Sequence, residues 1–296
     1  MANSKEALLA RPQDTTSELL TQESMNLEHA KRELSSELRK LSSFTSIIDP
    51  NHPTQKLDIY QTLKEDRLCI AAYFNAKKYL PLPIFNHSMR VFAYTIQILS
   101  DLKNNSEKNK IPSFPLIYDT WATQSEIPVQ LFITSMYHDL GTSSTHPHLE
   151  SSTDRFEVGG ADALLILCST SKFKHRFSPS QLREFWMAIA CHTSPGIGDR
   201  IGILPRIIRK GPHYDFGMLS EGEEAALEFS DGRNYREFKK ELEQVWPRLD
   251  AEKCLSDAVV EGAKGRPSRA PGGSWPGDLM KEAERDPEWD GLNRAF

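Results

Sequence analysis

Residues 131–141 read LFITSMYHDLG, an apolar run that ends in an adjacent histidine and aspartate. The apolar residues recur at helical spacing, and Gly141 is placed to end the helix in the left-handed conformation. Burial of His138 and Asp139 without partners would cost free energy. Neighbouring helical side chains point about 100° apart, so both can contact one ion at the helix end. The dipeptide alone leaves two interpretations open, a divalent-metal site or a helix end where the two side chains hydrogen-bond to each other.

Helical periodicity also dominates the rest of the chain. It covers approximately residues 55–80, 86–102, 127–140, 155–170, 179–192, 200–210, 218–230, 232–246 and 249–263. No stretch combines apolar–polar alternation with the β-branched residues typical of strands. The sequence therefore predicts an all-α fold, with a polar, Pro-interrupted loop over residues 103–126.

The composition divides the chain into three parts. Residues 1–50 are rich in Ser, Glu and Lys and form a peripheral arm, partly helical or disordered, that ends at the breaker cluster DPNHP. Residues 51–246 carry the helical bundle and the motifs. Residues 247–296 begin with a helix and continue as an irregular tail, Pro- and Gly-rich over residues 262–277, which we expect to pack near the domain.

Charge and cysteine content exclude several classes of protein. The 36 basic and 41 acidic residues give a net charge of −5, which argues against nucleic-acid and membrane-surface partners. No apolar run approaches the roughly 20 residues that span a bilayer, and the start has no secretory apolar region. The 4 cysteines are too scattered for a disulfide framework. We expect a cytoplasmic protein that acts on a small molecule, and its aromatic helices are compatible with a homo-oligomer.

Further histidines and aspartates accompany the His138–Asp139 pair. His87 lies 51 residues before His138 in the segment NHSMRVF, and Asp215 lies 76 residues after Asp139 in HYDFG. His87 falls on a predicted helix, Asp215 lies just beyond the helix predicted over residues 200–210, and His192 ends another apolar helical run. A histidine, a His-Asp pair and an aspartate in this order resemble the ligand series of the HD-domain metalloenzymes.

Four segments make the resemblance more specific. They are NHSMRVF (86–92), YHDLGT (137–142), FEVGG (156–160) and HYDFG (213–217). Together, over about residues 55–245, they resemble the fungal cyanamide hydratase (urea hydro-lyase) branch of the HD-domain superfamily. The resemblance implies an HD-type helical bundle.

The resemblance also implies a ligand set for one divalent ion. Its members are His87, His138, Asp139 and Asp215. Two neutral imidazoles and two carboxylates roughly balance a 2+ charge, which suits Zn²⁺, with Fe²⁺ as the alternative. In such a site, metal-bound hydroxide would attack the nitrile carbon of cyanamide and give urea.

Other residues receive roles from the same resemblance. Asp139, Glu157 and His192 are the expected catalytic residues. We expect Glu157 to hydrogen-bond a ligand imidazole, and His192 to transfer a proton, line the pocket or act as an additional ligand. Asn86, Thr142 and Thr193 are expected to contact the substrate. Arg90, on the His87 face of its helix, orients an aspartate or extends to solvent.

Two segments depart from the family pattern and leave the substrate open. The stretch TSPGIG (193–198) is less acidic than expected, and a Pro- and Gly-rich tail replaces the expected Trp- and His-containing end. One alternative is a phosphohydrolase of a nucleotide or another small phosphate ester, and another is a non-catalytic binding protein. A compact pocket with few cations favours the hydratase, and a broad basic pocket favours the phosphohydrolase.

Overall fold

The structure, a computed structural model, describes residues 14–41, 47–49, 52–57, 59–104, 126–227, 229, 232–286 and 288–291. These residues form helices and connecting turns, with one short hairpin, so the predicted all-α class is confirmed. Most of the predicted loop over residues 103–126 lies outside the described residues. Within the described residues, no helix has both the length and the apolar character needed to cross a membrane.

The α-helices are numbered here in chain order. They are α1 (Asp14–Leu41), α2 (Ile59–Leu63), α3 (Arg67–Tyr79), α4 (Leu82–Asn104), α5 (Ile127–Tyr137), α6 (Phe156–Ser169), α7 (Pro179–Ala190), α8 (Ile203–Asp215), α9 (Glu221–Ala226), α10 (Tyr235–Val245), α11 (Ala251–Ala263) and α12 (Trp275–Arg285). Short 3₁₀ turns cover Leu140–Thr142 and Pro267–Arg269.

The hairpin was not predicted from the sequence. Strand β1 (Ile47–Asp49) pairs antiparallel with β2 (His52–Leu57), and Ile47 lies opposite Leu57. Neither strand has the alternation of a half-buried strand, so the pattern gave no signal. The breaker cluster that was expected to end the arm overlaps the end of β1 and the start of β2.

Helices α4 and α5 form the centre of the bundle. Helix α4 packs against α5, α8 and α11, and the rings of Phe92 and Phe132 meet edge to face at 5.0 Å. Every residue of α5 is buried, as expected for a helix that is apolar on all sides. The His138–Asp139 pair therefore follows directly from the most enclosed helix of the core.

The N-terminal helix belongs to this core. Its apolar side chains at helical spacing, Ala30, Leu34, Leu38 and Leu41, are at most 1% exposed. The indole of Trp246 also donates to Glu37, at 2.8 Å. The helical pattern predicted for this segment is confirmed, but residues 30–41 pack as part of the core rather than as a peripheral arm.

The C-terminal tail contains a helix that the composition did not predict. Helix α12 begins inside the Pro- and Gly-rich stretch, where Ser274 caps its first turn by accepting from the backbone N–H of Gly277. Its Leu279 side chain is fully buried, and α12 packs against α11. The tail thus packs on the domain, as expected, but with more regular structure than its composition indicates.

Candidate metal centre

The imidazole of His138 is held by the turn that ends α5. Its Nδ1 lies 2.7 Å from the carbonyl oxygen of Ser135. A carbonyl only accepts, so Nδ1 carries the proton, and the neutral ring presents an unprotonated Nε2 on its other side. That Nε2 lies 3.2 Å from Nε2 of His87 and 3.1 Å from Oδ2 of Asp139.

His87 reaches the same point from α4. Its Nδ1 lies 2.6 Å from a carboxylate oxygen of Asp215, and its ring stacks on Phe216 with centroids 4.3 Å apart. Nε2 of His87 also lies 3.5 Å from Oδ2 of Asp139. Two imidazoles therefore direct their Nε2 lone pairs towards one carboxylate.

Asp139 is the centre of this arrangement. The residue is 1% exposed, and neither of its carboxylate oxygens has a hydrogen-bond partner among the described residues. A carboxylate buried without a hydrogen-bond partner costs free energy, and binding of a cation offsets that cost. The donor atoms of His87, His138 and Asp139 all lie within 4.8 Å of one another. This donor set fits a divalent cation, since two imidazoles and one carboxylate occur both in zinc sites and in non-haem iron sites.

The electrostatics of the group favour positive charge at this point. Burial opposes protonation of His138, yet the adjacent Asp139 carboxylate raises the His138 pKa above its ordinary value. Burial also opposes ionisation of Asp139, but the neighbouring imidazoles hold its pKa well below the usual range. A carboxylate that attracts a proton to His138 attracts a metal cation to the same place.

Asp215 was expected to be a metal ligand, but it is not one of the three convergent donors. Its carboxylate contacts the ring of His87 instead. Arg90 donates from Nε and Nη2 to the two carboxylate oxygens of Asp215, at 2.7 and 2.8 Å, and both side chains are fully buried. Asp215 therefore meets His87 at Nδ1, the nitrogen on the far side of the ring from the convergent Nε2. In this structure it orients the imidazole, and Arg90 orients Asp215, which is the first of the two roles considered for this arginine.

His192 lies at the same centre. Its Nδ1 donates to the carbonyl oxygen of Ile189 at 2.7 Å, so its neutral ring also presents an unprotonated Nε2. That nitrogen lies 3.5 Å from Oδ1 of Asp139. The structure thus brings the expected catalytic residues Asp139 and His192 together.

Glu157 has partners other than the expected imidazole. It is fully buried and accepts a hydrogen bond from the Thr193 hydroxyl and two from Arg155, at 2.6 and 3.3 Å. Nδ1 of His87 is hydrogen-bonded to Asp215 instead. The Nδ1 atoms of His138 and His192 are hydrogen-bonded to backbone carbonyl oxygens. Glu157 therefore acts on the site through Thr193, whose side chain lines the cavity.

Two residues expected to contact substrate have structural partners. The Thr142 hydroxyl donates to the carbonyl oxygen of Asp139 at 2.7 Å. The Asn86 amide donates to the carbonyl oxygen of Pro247 at 2.9 Å, which ties α4 to the link between α10 and α11. Neither residue lines the cavity described next, whereas Thr193, the third residue expected to contact substrate, does.

A small cavity of about 30 Å³ opens beside the convergent side chains. Its lining residues are His87, His138, Asp139, His192, Thr193, Pro212, His213, Phe216, Met218, Leu255 and Trp275. These contain no lysine or arginine. Phe216 lies inside the quoted HYDFG segment, but Leu255 and Trp275 come from the C-terminal part, where the sequence offered no signal of a site.

A scan against protein-family models finds no match to this chain, and a search of curated proteins finds no match either. The resemblance to the HD-domain enzymes therefore depends on the quoted motifs alone.

Proposed function

We propose that this chain is a metal-dependent hydratase that adds water to a small nitrile-like molecule, with cyanamide as the substrate and urea as the product. One observation carries the proposal. The Asp139 carboxylate, which has no hydrogen-bond partner among the described residues, converges with the Nε2 atoms of His87 and His138 on a compact cavity. The described residues that line this cavity include no lysine or arginine. The function class and the substrate come from the motif resemblance.

The residues of the site would bind the cation and transfer the proton. His87, His138 and Asp139 would hold the cation, which when bound would bring the pKa of water towards about 7. His192 Nε2 would accept a proton from the attacking water and deliver it to the nitrile nitrogen. In the overall reaction, the water oxygen bonds to the nitrile carbon, and both water protons end on the nitrogen.

The cavity favours a small neutral substrate over a phosphate ester. Phosphate recognition uses convergent Lys or Arg side chains, and the cavity lining has none. Arg155 contacts the lining residue Thr193, but it is bonded to the buried Glu157 carboxylate at 2.6 Å. A compact pocket whose described lining has no lysine or arginine supports the hydratase over the phosphohydrolase.

The test is metal analysis of the purified chain, followed by an assay of urea release from cyanamide beside phosphate release from a panel of nucleoside monophosphates. We expect about one divalent ion per chain, urea formation, and no phosphate release. The His138→Ala variant should lose both the ion and urea formation, because it removes one donor.

The matched control is His175→Ala, which removes an exposed histidine outside the site. It should retain the ion and full activity, and thermal unfolding of both variants should establish that each is folded. Phosphate release without urea would replace the hydratase with the phosphohydrolase. A folded chain that takes up no divalent ion would reject the metal centre itself.

A further inference from the structure

A single aromatic side chain from the C-terminal tail closes one side of the cavity. Trp275, the first residue of α12, lines the cavity and is half-buried. Its indole meets Phe156 edge to face at 5.8 Å, and Phe156 meets the His192 ring in the same way at 5.7 Å. The rings of Trp275, Phe156 and His192 therefore form a continuous series of contacts, and His192 is the residue proposed to carry the proton.

The segment that carries Trp275 is fixed to the loop after the His138–Asp139 pair. We call residues 264–277 the C-terminal strap. Arg269 donates to the carbonyl oxygen of Gly141 at 2.9 Å, and Ser268 donates to that of Thr153 at 2.6 Å. Arg269 is only 7% exposed, so the first of these bonds is enclosed. The strap thus holds the indole in a set position relative to Asp139.

A tight turn within the strap fixes the start of α12. A Cβ atom at Gly277 would lie 2.2 Å from the carbonyl oxygen of Pro271, so only glycine allows this approach. Gly273 has φ +78°, a conformation that other residues rarely adopt. The direction in which Trp275 enters the cavity is therefore set by the backbone of the strap.

The rim of the cavity is formed by the lining residues that are partly exposed. The half-buried lining residues are His213, Phe216, Met218 and Trp275, and the other lining residues are buried. His213, Phe216 and Met218 all come from the end of α8 and the turn that follows it. Trp275 is the half-buried lining residue that comes from another part of the chain, the start of α12.

We infer that Trp275 is a specificity-determining residue that limits the cavity to ligands of very few atoms. This inference rests on the proposed function, and it narrows the substrate class to small neutral nitriles without a bulky substituent. Removal of the indole opens the inner cavity towards the strap, so that a ligand with a larger substituent can reach the cation position. The role concerns substrate size and leaves the cation donors unchanged.

The test uses two ligands that have the same metal-binding group and different substituents. The chain is loaded with Co²⁺, and its visible absorption is followed during titration with acetohydroxamate and with benzohydroxamate. In the parent protein we expect acetohydroxamate to bind and benzohydroxamate to be excluded. In Trp275→Ala the ratio of the two dissociation constants should shift by at least about tenfold towards benzohydroxamate, and Trp275→Phe should lie between the two proteins.

The control variant is Trp186→Ala. This indole donates to Asp162 at 2.8 Å and does not line the cavity, so its removal should leave the ratio unchanged. An unchanged ratio in Trp275→Ala, with Co²⁺ bound as in the parent, overturns the inference and leaves the proposed function in place. A parent protein that takes up no Co²⁺ overturns both.

Discussion

At the scale of single residues, the site depends on one buried charge pair. The Asp215 carboxylate accepts two hydrogen bonds from Arg90 and one from His87, and all three side chains are at most 1% exposed. Arg90 also donates to the carbonyl oxygen of Trp246 at 2.8 Å. Removing one partner of such a pair leaves an uncompensated charge, which typically costs about 3–5 kcal/mol. Arg90 and Asp215 therefore act as positioning residues for His87.

We expect Asp215→Asn to weaken divalent-metal binding about 10- to 100-fold, because the neutral amide orients His87 less firmly and lowers the basicity of its Nε2. The dissociation constant is measured by competition with a chromophoric chelator. A matched control is Asp66→Asn, which removes the carboxylate paired with Arg176 by two hydrogen bonds, at 2.9 and 2.6 Å, away from the cavity. Comparable losses of affinity in both variants would indicate general destabilisation and contradict the positioning role.

His146 gives a second residue-scale prediction, for the pH dependence of stability. Burial, with His148 and Lys78 nearby, lowers the pKa of His146 from 6.5 to about 4. Between these values the unfolded chain binds a proton that the folded chain does not. The free energy of unfolding should therefore fall as the pH is lowered from 6.5 to about 4, by on the order of 2 kcal/mol.

The His146→Phe variant should lose this part of the pH dependence, since its side chain does not titrate. Denaturant unfolding at several pH values between 4 and 7 measures the difference from the parent. His175→Gln, which removes an exposed histidine, should follow the parent curve. Parallel curves for parent and His146→Phe would show that His146 does not titrate in this range.

At the scale of helices, glycines let two backbone segments meet beside the site. A Cβ atom at Gly160 of α6 would lie 2.6 Å from the carbonyl oxygen of Tyr137, the last residue of α5. A Cβ at Gly141 would lie 1.8 Å from the carbonyl oxygen of Phe156. Helix α6 is thereby held directly against the turn that carries His138 and Asp139, and this contact depends on the missing side chains.

We expect Gly160→Ala to destabilise the protein by about 1–3 kcal/mol, because the methyl group forces α6 away from α5. The same shift should weaken metal binding. Gly222→Ala is the matched control, since a Cβ there meets nothing within 4 Å, and alanine in that helix should stabilise by roughly 0.5 kcal/mol. Thermal unfolding and chelator competition measure the two effects. A Gly160→Ala protein with parental stability would contradict the close approach.

At the scale of the whole molecule, one core extends from α1 to α12. Leu34 of α1 and Leu279 of α12 belong to the same buried cluster as Phe92 and Phe132 at its centre. The N-terminal helix and the C-terminal tail therefore stabilise the bundle that carries the site. Chain ends that join a common core should unfold together with it.

Leu34→Ala should lower the free energy of unfolding by about 2–5 kcal/mol, as expected for a fully buried leucine. The unfolding transition should stay single. Leu27→Ala in the same helix is the control, because this side chain is 37% exposed and should cost well under half as much. An early separate transition of α1 in the Leu34→Ala protein would show that the helix is not part of the common core.

The sequence predicted the parts of the structure that depend on local spacing and on the chemistry of side chains. Helical periodicity identified most helices, and the cost of burying His138 and Asp139 indicated a site at the end of α5. The partners of Asp215 are decided by tertiary geometry, since only the folded structure places Arg90 and Nδ1 of His87 against this carboxylate. The position of Trp275 at the cavity could not be predicted from the sequence. Its segment is Pro- and Gly-rich and reaches the cavity only through long-range contacts.

The contact between Arg90 and the carbonyl oxygen of Trp246 joins residues 156 positions apart, and that between His87 and Asp215 joins residues 128 positions apart. During synthesis on the ribosome, His87, His138 and Asp139 all emerge well before either contact can form. Such distant pairings also carry a large loop-closure entropy. A nascent chain that stops soon after Asp139 would hold all three cation donors without the carboxylate and guanidinium that orient His87. Loading of the proposed cation would therefore be a late step, completed only once the polypeptide has been made beyond residue 246.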